Sequence, residues 1–191
     1  MQAMLQVLTR FRPKDTLLHQ LTGFVEQKLS DAKFTNTKTI ITHTKEQCHV
    51  LALGYFDLLH PGHLNYLDFA KAQGNYLTVG VAPDAFALKS KGHTPMMKQE
   101  ERLRVIQALQ IVDQSVLVAA PMADTANAAH WIAQQGVNIV VCGAEWQNTP
   151  RWDALEAALS PKGIKVIFAP HTQGISSTQI KQRLLSHQHN S

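Results

Sequence analysis

The sequence predicts an α/β protein built on a doubly wound parallel sheet of five strands, on three observations. From Cys48 onward, short apolar runs rich in branched residues recur at strand length. Stretches of helical periodicity lie between them, and strands that alternate with helices build parallel sheets with crossover helices. Glycines stand where those helices should stop, at Gly74, Gly136 and Gly163; glycine takes the left-handed cap conformation without steric cost.

Taken in order, residues 1–47 carry no chemical motif. A helical stretch is expected from Thr16 to Leu29, followed by a polar segment around Asn36, so these residues read as a helical N-terminal extension for packing or dimerisation. Residues 48–191 form the main domain. Its first strand is expected over Cys48 to Gly54, and the helix from His63 to Gln73 carries Leu64, Leu67 and Ala70 on one stripe. The second strand is Tyr76 to Ala82. A helix from Lys98 to Val112, with Leu103, Ile106 and Leu109 on its apolar stripe, leads to a third strand at Ser115 to Ala119. Strands at Val137 to Cys142 and Ile164 to Ala169 follow, with helices after Thr125 and after Trp152, and a last helix begins at the serines near 176. His187 and His189 belong to a frayed, solvated tail.

Composition narrows the class. The chain has 191 residues, 45% apolar and 17% charged, which suits a globular protein with a real core. The net charge of +4 and ten histidines suit anionic partners. The basic residues are scattered and form no aromatic-interleaved stripe, so polyphosphate metabolites fit and nucleic acid does not. Cys48 and Cys142 each sit in an apolar run far apart, and read as reduced core residues of a cytoplasmic protein. No apolar run approaches the ~20 residues of a membrane-spanning helix. The basic residues of the opening segment follow its apolar ones, the reverse of a secretory signal.

The most informative stretch runs from Gly54 through Tyr55, Phe56, Asp57, Leu58, Leu59, His60, Pro61 and Gly62 to His63. His60 and His63 are three residues apart at a helix start, so both imidazoles can face one side. Gly62 leaves room for backbone to approach a bound phosphate, and a helix N-terminus favours an anion. Asp57 reads equally as a buried carboxylate bonded to loop backbone and as a direct ligand contact. Downstream, Lys89-Ser90-Lys91 reads as two cations on an irregular loop, and Lys98 as an exposed helix residue. Gly174-Ile175-Ser176-Ser177-Thr178 precedes the last helix, where Ser176 and Gln179 also fit a capping box.

Every fixed position of the first stretch resembles the G-x-F-D-x-x-H-x-G-H signature of the cytidylyltransferase-like nucleotidyltransferases, whose fold is Rossmann-like. The resemblance covers about residues 48 to 185. Lys89 and Lys91 resemble the family's K-x-K loop, and Gly174 to Thr178 its G-I-S-T-T motif with Ser177 in place of a threonine. The family usually has arginine three positions before that glycine, where this chain has His171, next to Thr172; histidine is not reliably charged at neutral pH. Gly143-Ala144-Glu145-Trp146 resembles the G-x-D-W stretch of glycerol-phosphate cytidylyltransferases, and Arg102 the arginine of an E-x-R motif, with a surface ion pair as its bland reading. Asp124-Thr125 instead resembles the adenylyltransferase half of ADP-heptose synthases. The histidine and lysine motifs are common to both groups and do not choose the base.

The resemblance implies transfer of a nucleoside monophosphate, CMP from CTP, to a small phosphorylated acceptor such as glycerol 3-phosphate, with release of pyrophosphate. It implies His60, His63, Lys89 and Lys91 as the catalytic set. Tyr55, Phe56, Gly62, His63, Gly143, Glu145, His171, Thr172, Gly174, Ile175, Ser176, Ser177 and Thr178 would line the nucleotide, with Asp57, Arg102 and Trp146 as substrate or structural residues. Mg²⁺ is expected on the nucleotide's own phosphates and no metal on the chain. A homodimer is expected. The rival readings are an adenylyltransferase acting on a sugar phosphate or a flavin precursor, and a nucleotide-binding regulator without turnover.

Overall fold

A computed structural model describes residues 47–188. The extension expected over residues 1–47 therefore lies, but for its last residue, outside the described residues, as does His189. Five strands form one parallel sheet in the order β3-β2-β1-β4-β5. They are β1 (His49–Gly54), β2 (Tyr76–Val81), β3 (Gln114–Leu117), β4 (Ile139–Gly143) and β5 (Lys165–Ala169). The helices are α1 (Pro61–Ala72), α2 (Asp84–Lys91), α3 (Gln99–Gln107), α4 (Thr125–Gln134), α5 (Pro150–Leu159) and α6 (Ser177–Gln188).

A strand buried on both faces must be apolar along its buried length, and β1 is apolar from Val50 to Leu53. Val50 and Ala52 pack with Leu67 and Ala70 of α1 and Ile106 of α3, while Leu51 joins Ala128, Ile132, Trp152 and Leu155 of α4 and α5 on the other face. Each fully enclosed leucine or isoleucine is worth about 1.5–3 kcal/mol. These two layers hold the sheet and leave the carboxyl ends of the strands for loops.

Several expected boundaries move, for local reasons. The helix expected to reach Val112 stops at Gln107. Beyond it the chain turns tightly, with Leu109 N–H bonded to Ile106 O at 3.1 Å and Val112 N–H to Leu109 O at 3.0 Å. Gly136 and Gly163 are left-handed, as their cap role requires, but Gly74 is not; a Cβ there would lie 2.4 Å from Cys48 O, so close approach is what demands glycine. Cys142 is buried whereas Cys48 is only partly so.

The lysine segment is the larger correction. Lys89 and Lys91 lie in the last turn of α2, not on an irregular loop. Asp84 and Gln99 bond reciprocally through backbone and side chain at 3.0 and 3.2 Å, which pins the start of α2 to the start of α3. Gly92, at φ 74°, then closes α2.

Candidate active site

Strand order reverses at β1. The chain moves outward through β2 to β3, then returns by α4 to place β4 on the other side of β1. The loops after β1 and β4 diverge there, and ligands of open α/β sheets bind in that crevice.

The loop after β1 turns sharply. Phe56 and Leu58 take positive φ, 54° and 50°, a conformation that costs free energy for residues other than glycine. A Cβ on Gly54 would lie 2.8 Å from the Phe56 ring, so this corner leaves no room for a side chain. The folded-back ring sits 5.5 Å from His63, centroid to centroid. His60 caps α1, its carbonyl accepting the His63 N–H at 2.8 Å. The two imidazoles stack, with centroids 3.8 Å apart and planes 20° apart. Gly62 allows this: a Cβ there would lie 3.0 Å from the His60 ring and 3.3 Å from Ile175.

Both Nδ1 atoms are buried without a hydrogen-bond partner. Burial holds His60 below its ordinary pKa, against a contribution from its own backbone. Burial and the neighbouring His60 push His63 down to about 4, against the pull of Asp57. Both rings are therefore neutral at pH 7, and an anion bound beside them would raise both values.

Asp57 ties three segments together. Its carboxylate accepts the Met96 and Met97 N–H groups at 3.0 Å each and pairs with Lys181 Nζ at 2.7 Å. Its backbone carbonyl accepts from Ser177 Oγ at 2.6 Å. Ser177 and Lys181 are one turn apart on α6, so a single helix face grips this residue. Burial alone would raise the carboxyl, but Lys181 and the two amides outweigh it and hold its pKa low. Ser176 caps α6, accepting the Gln179 N–H at 3.2 Å.

Arg102 lies in the interior, not on the surface where an ion pair was the bland expectation. Its side chain is fully enclosed. The guanidinium donates to Met97 O at 3.1 Å, Ala82 O at 2.9 Å, Asp84 Oδ1 at 2.6 Å and Tyr55 O. It thus fixes the loops after β1 and β2 from beneath, a geometry that suits the arginine fork.

Lys91 lies with its ammonium 4.3 Å from the centre of the Tyr55 ring. Burial and Lys181 lower its pKa, while Glu145 and Asp57 oppose the shift, so these four charges share one neighbourhood. Ser90 Oγ lies 3.2 Å from Tyr55 OH. Helical phase turns Lys89 by about 200° from Lys91, so the two do not face one ligand as placed.

At the end of β4, the Glu145 carboxylate folds over Gly143, where a Cβ would come within 2.1 Å of it. Trp146 packs against the core with Arg151 5.4 Å above its ring. Thr172 Oγ1 accepts from Asn65 of α1 at 3.2 Å. Gly174 is left-handed at φ 79°, and His171 and Thr178 are exposed. Asp124 caps α4, accepting the Asn127 N–H at 3.3 Å.

Sequence reasoning missed Lys181 and Tyr66. Lys181 was legible only as the fourth residue after Ser177 on a helix. Tyr66 was legible as a polar tip in an apolar helix face, since a buried tyrosine hydroxyl needs a partner.

Known proteins agree with this architecture. The sequence is similar to the glycerol-3-phosphate cytidylyltransferase of Bacillus subtilis, 30% identical over 135 residues that make up 71% of this chain and 95% of that one. It is similar to the bifunctional protein HldE of Nitrosococcus oceani, 35% identical over 141 residues, 73% of this chain but 28% of that protein. A solved lipopolysaccharide core biosynthesis protein from Thermoplasma volcanium is 28% identical with a TM-score of 0.53, covering 66% of this chain and 97% of that one. The cytidylyltransferase-like family model matches residues 51–183, from the buried centre of β1 into α6, and the chain belongs to that family of nucleotidyltransferases.

Proposed function

We propose that the protein transfers CMP from CTP to a small phosphorylated acceptor of the glycerol 3-phosphate type, releasing pyrophosphate. The stacked His60 and His63 rings at the mouth of the β1–β4 crevice, neighboured by Lys91 and the N-terminus of α6, carry the reading. An acceptor phosphate monoester is mostly dianionic at neutral pH. Its oxygen attacks the α-phosphorus in line, the bond to the β-phosphate oxygen breaks, and pyrophosphate leaves; no general base is required.

In this proposal the neutral histidines each donate one N–H to oxygens of the reacting phosphate and gain affinity for a proton as charge builds there. Lys91 clamps the polyphosphate, joined by Lys89 if the last turn of α2 opens. The first turn of α6 takes the β and γ phosphates by its N–H groups and by the Ser176 and Thr178 hydroxyls, while the Ser177 hydroxyl stays bonded to the Asp57 carbonyl. Mg²⁺, if bound, would supply charge neutralisation of the triphosphate and would be held by the nucleotide and water, not by side chains. The engagement of Asp57 by two amides and Lys181 supports that reading. A cytoplasmic homodimer completes the proposal, its oligomeric state measurable by light scattering.

A second reading, transfer of AMP from ATP to a sugar phosphate, is favoured by Asp124-Thr125 and by the similarity to the HldE protein. One experiment tests both: pyrophosphate release with CTP or ATP against a panel of phosphorylated acceptors, with products weighed by mass spectrometry. His63→Ala should lose about 10²- to 10³-fold in turnover while remaining folded. Near-normal release by that variant, or no release by the wild type with any pair, refutes the proposal.

A further inference from the structure

The sheet's central ladder ends early. The β1–β2 pairing runs to Gly54 and the β4–β5 pairing to Gly143, whereas the β1–β4 pairing stops at Ala52 and Val141. Both strands continue for two residues beyond that point. The Tyr66 hydroxyl lies there. It accepts the Leu53 N–H at 3.0 Å and stands 2.7 Å from Val141 O and 2.9 Å from Leu53 O. Its single proton can go to only one carbonyl, and Val141 O is nearer. A side-chain oxygen from α1 thus stands between an amide of β1 and a carbonyl of β4.

We propose that Tyr66 is a positioning residue, whose hydroxyl spaces β1 from β4 and so sets the width of the crevice that receives the nucleotide. The inference rests on the nucleotidyltransferase reading for its ligand, but not for its geometry. Three features fit a spacer better than a general packing role. Tyr66 sits one turn after His63 on α1, so the helix that presents the histidines also sets the gap beside them. Its ring lies 6.1 Å from that of Phe56, the ring packed against His63. The phenol is also unsuited to proton transfer, because burial, with Cys142 and Glu145 nearby, drives its pKa far up against the Leu53 N–H. What remains for the hydroxyl is to satisfy and separate two strands. Without it, Leu53 N–H and Val141 O would be left to find each other, since an unpaired buried backbone group is costly.

The test is Tyr66→Phe in the full chain, which removes one oxygen and keeps the ring. In its crystal structure, Leu53 N and Val141 O should close to direct hydrogen-bond distance. A gap of wild-type width, bridged by water, would overturn the spacer role whatever the enzyme's activity. Kinetically, KM for the nucleotide should rise at least tenfold while kcat at saturation stays within about threefold; wild-type values for both would likewise overturn it. Should the variant not fold, the wild type still decides. On addition of CTP or ATP, the Leu53 amide resonance should shift, because the amide lines the occupied crevice. If calorimetry shows nucleotide binding and that resonance stays put, the spacer proposal falls alone. If neither nucleotide binds, the nucleotidyltransferase reading falls with it.

Discussion

At the scale of single residues, His63 joins stability to chemistry. The ring titrates at about 4 in the folded chain, against 6.5 when exposed, so the unfolded state holds more protons between those values. Stability contributed by the neutral ring is fully present above about pH 6.5 and is lost as pH falls towards 4. The loss is up to about 3 kcal/mol, and His60, also shifted down, adds in the same direction. Urea denaturation at a series of pH values should show this decline in the wild type, and His63→Gln should flatten a large part of it. A slope unchanged by the substitution would place the acid sensitivity elsewhere. The pair itself was legible in the sequence, because spacing on a helix start dictates which side chains share a face. Their lost protons were not, since these depend on burial that only the fold supplies, with Phe56 turned back beside His63, and nothing in the order of residues announces a left-handed phenylalanine.

At the scale of elements, α2 changes which lysine matters. Reading Lys89-Ser90-Lys91 as a loop makes the two ammonium groups equivalent, but a helix separates them and aims Lys91 across Tyr55. Lys91→Ala should therefore raise KM for the nucleotide about tenfold more than Lys89→Ala does, in steady-state assays. Equal losses would mean that the last turn of α2 unwinds when substrate binds. The helix was hard to foresee because its start is pinned by Gln99, fifteen residues away, and local propensity cannot express a distant cap. Most other elements were legible, since apolar periodicity and left-handed glycines such as Gly136 and Gly163 are local signals. The strands shifted by only one or two residues at their ends. The role of α6 was half legible: its cap at Ser176 follows from sequence, whereas the grip of Ser177 and Lys181 on Asp57 needs the fold.

At the scale of the whole molecule, Arg102 connects the loops that surround the crevice. Removing it would leave three backbone carbonyls without this donor and the partly exposed Asp84 without its cation, and each buried polar group left unpaired costs about 1–3 kcal/mol. Arg102→Met should lower the melting temperature by on the order of 10 °C, measurable by circular dichroism. A shift of a degree or two would show that the carbonyls find water instead. The grip on Asp57 has a further consequence for biosynthesis. Its acceptor and the Ser177 donor are separated by 120 positions along the chain, so a ribosome makes the histidine loop long before it makes the clasp. The early strands can pair while the loop stays unclasped, and competence arrives only with the closing helix. A nascent chain stalled at residue 176 should accordingly be sheet-forming yet inert.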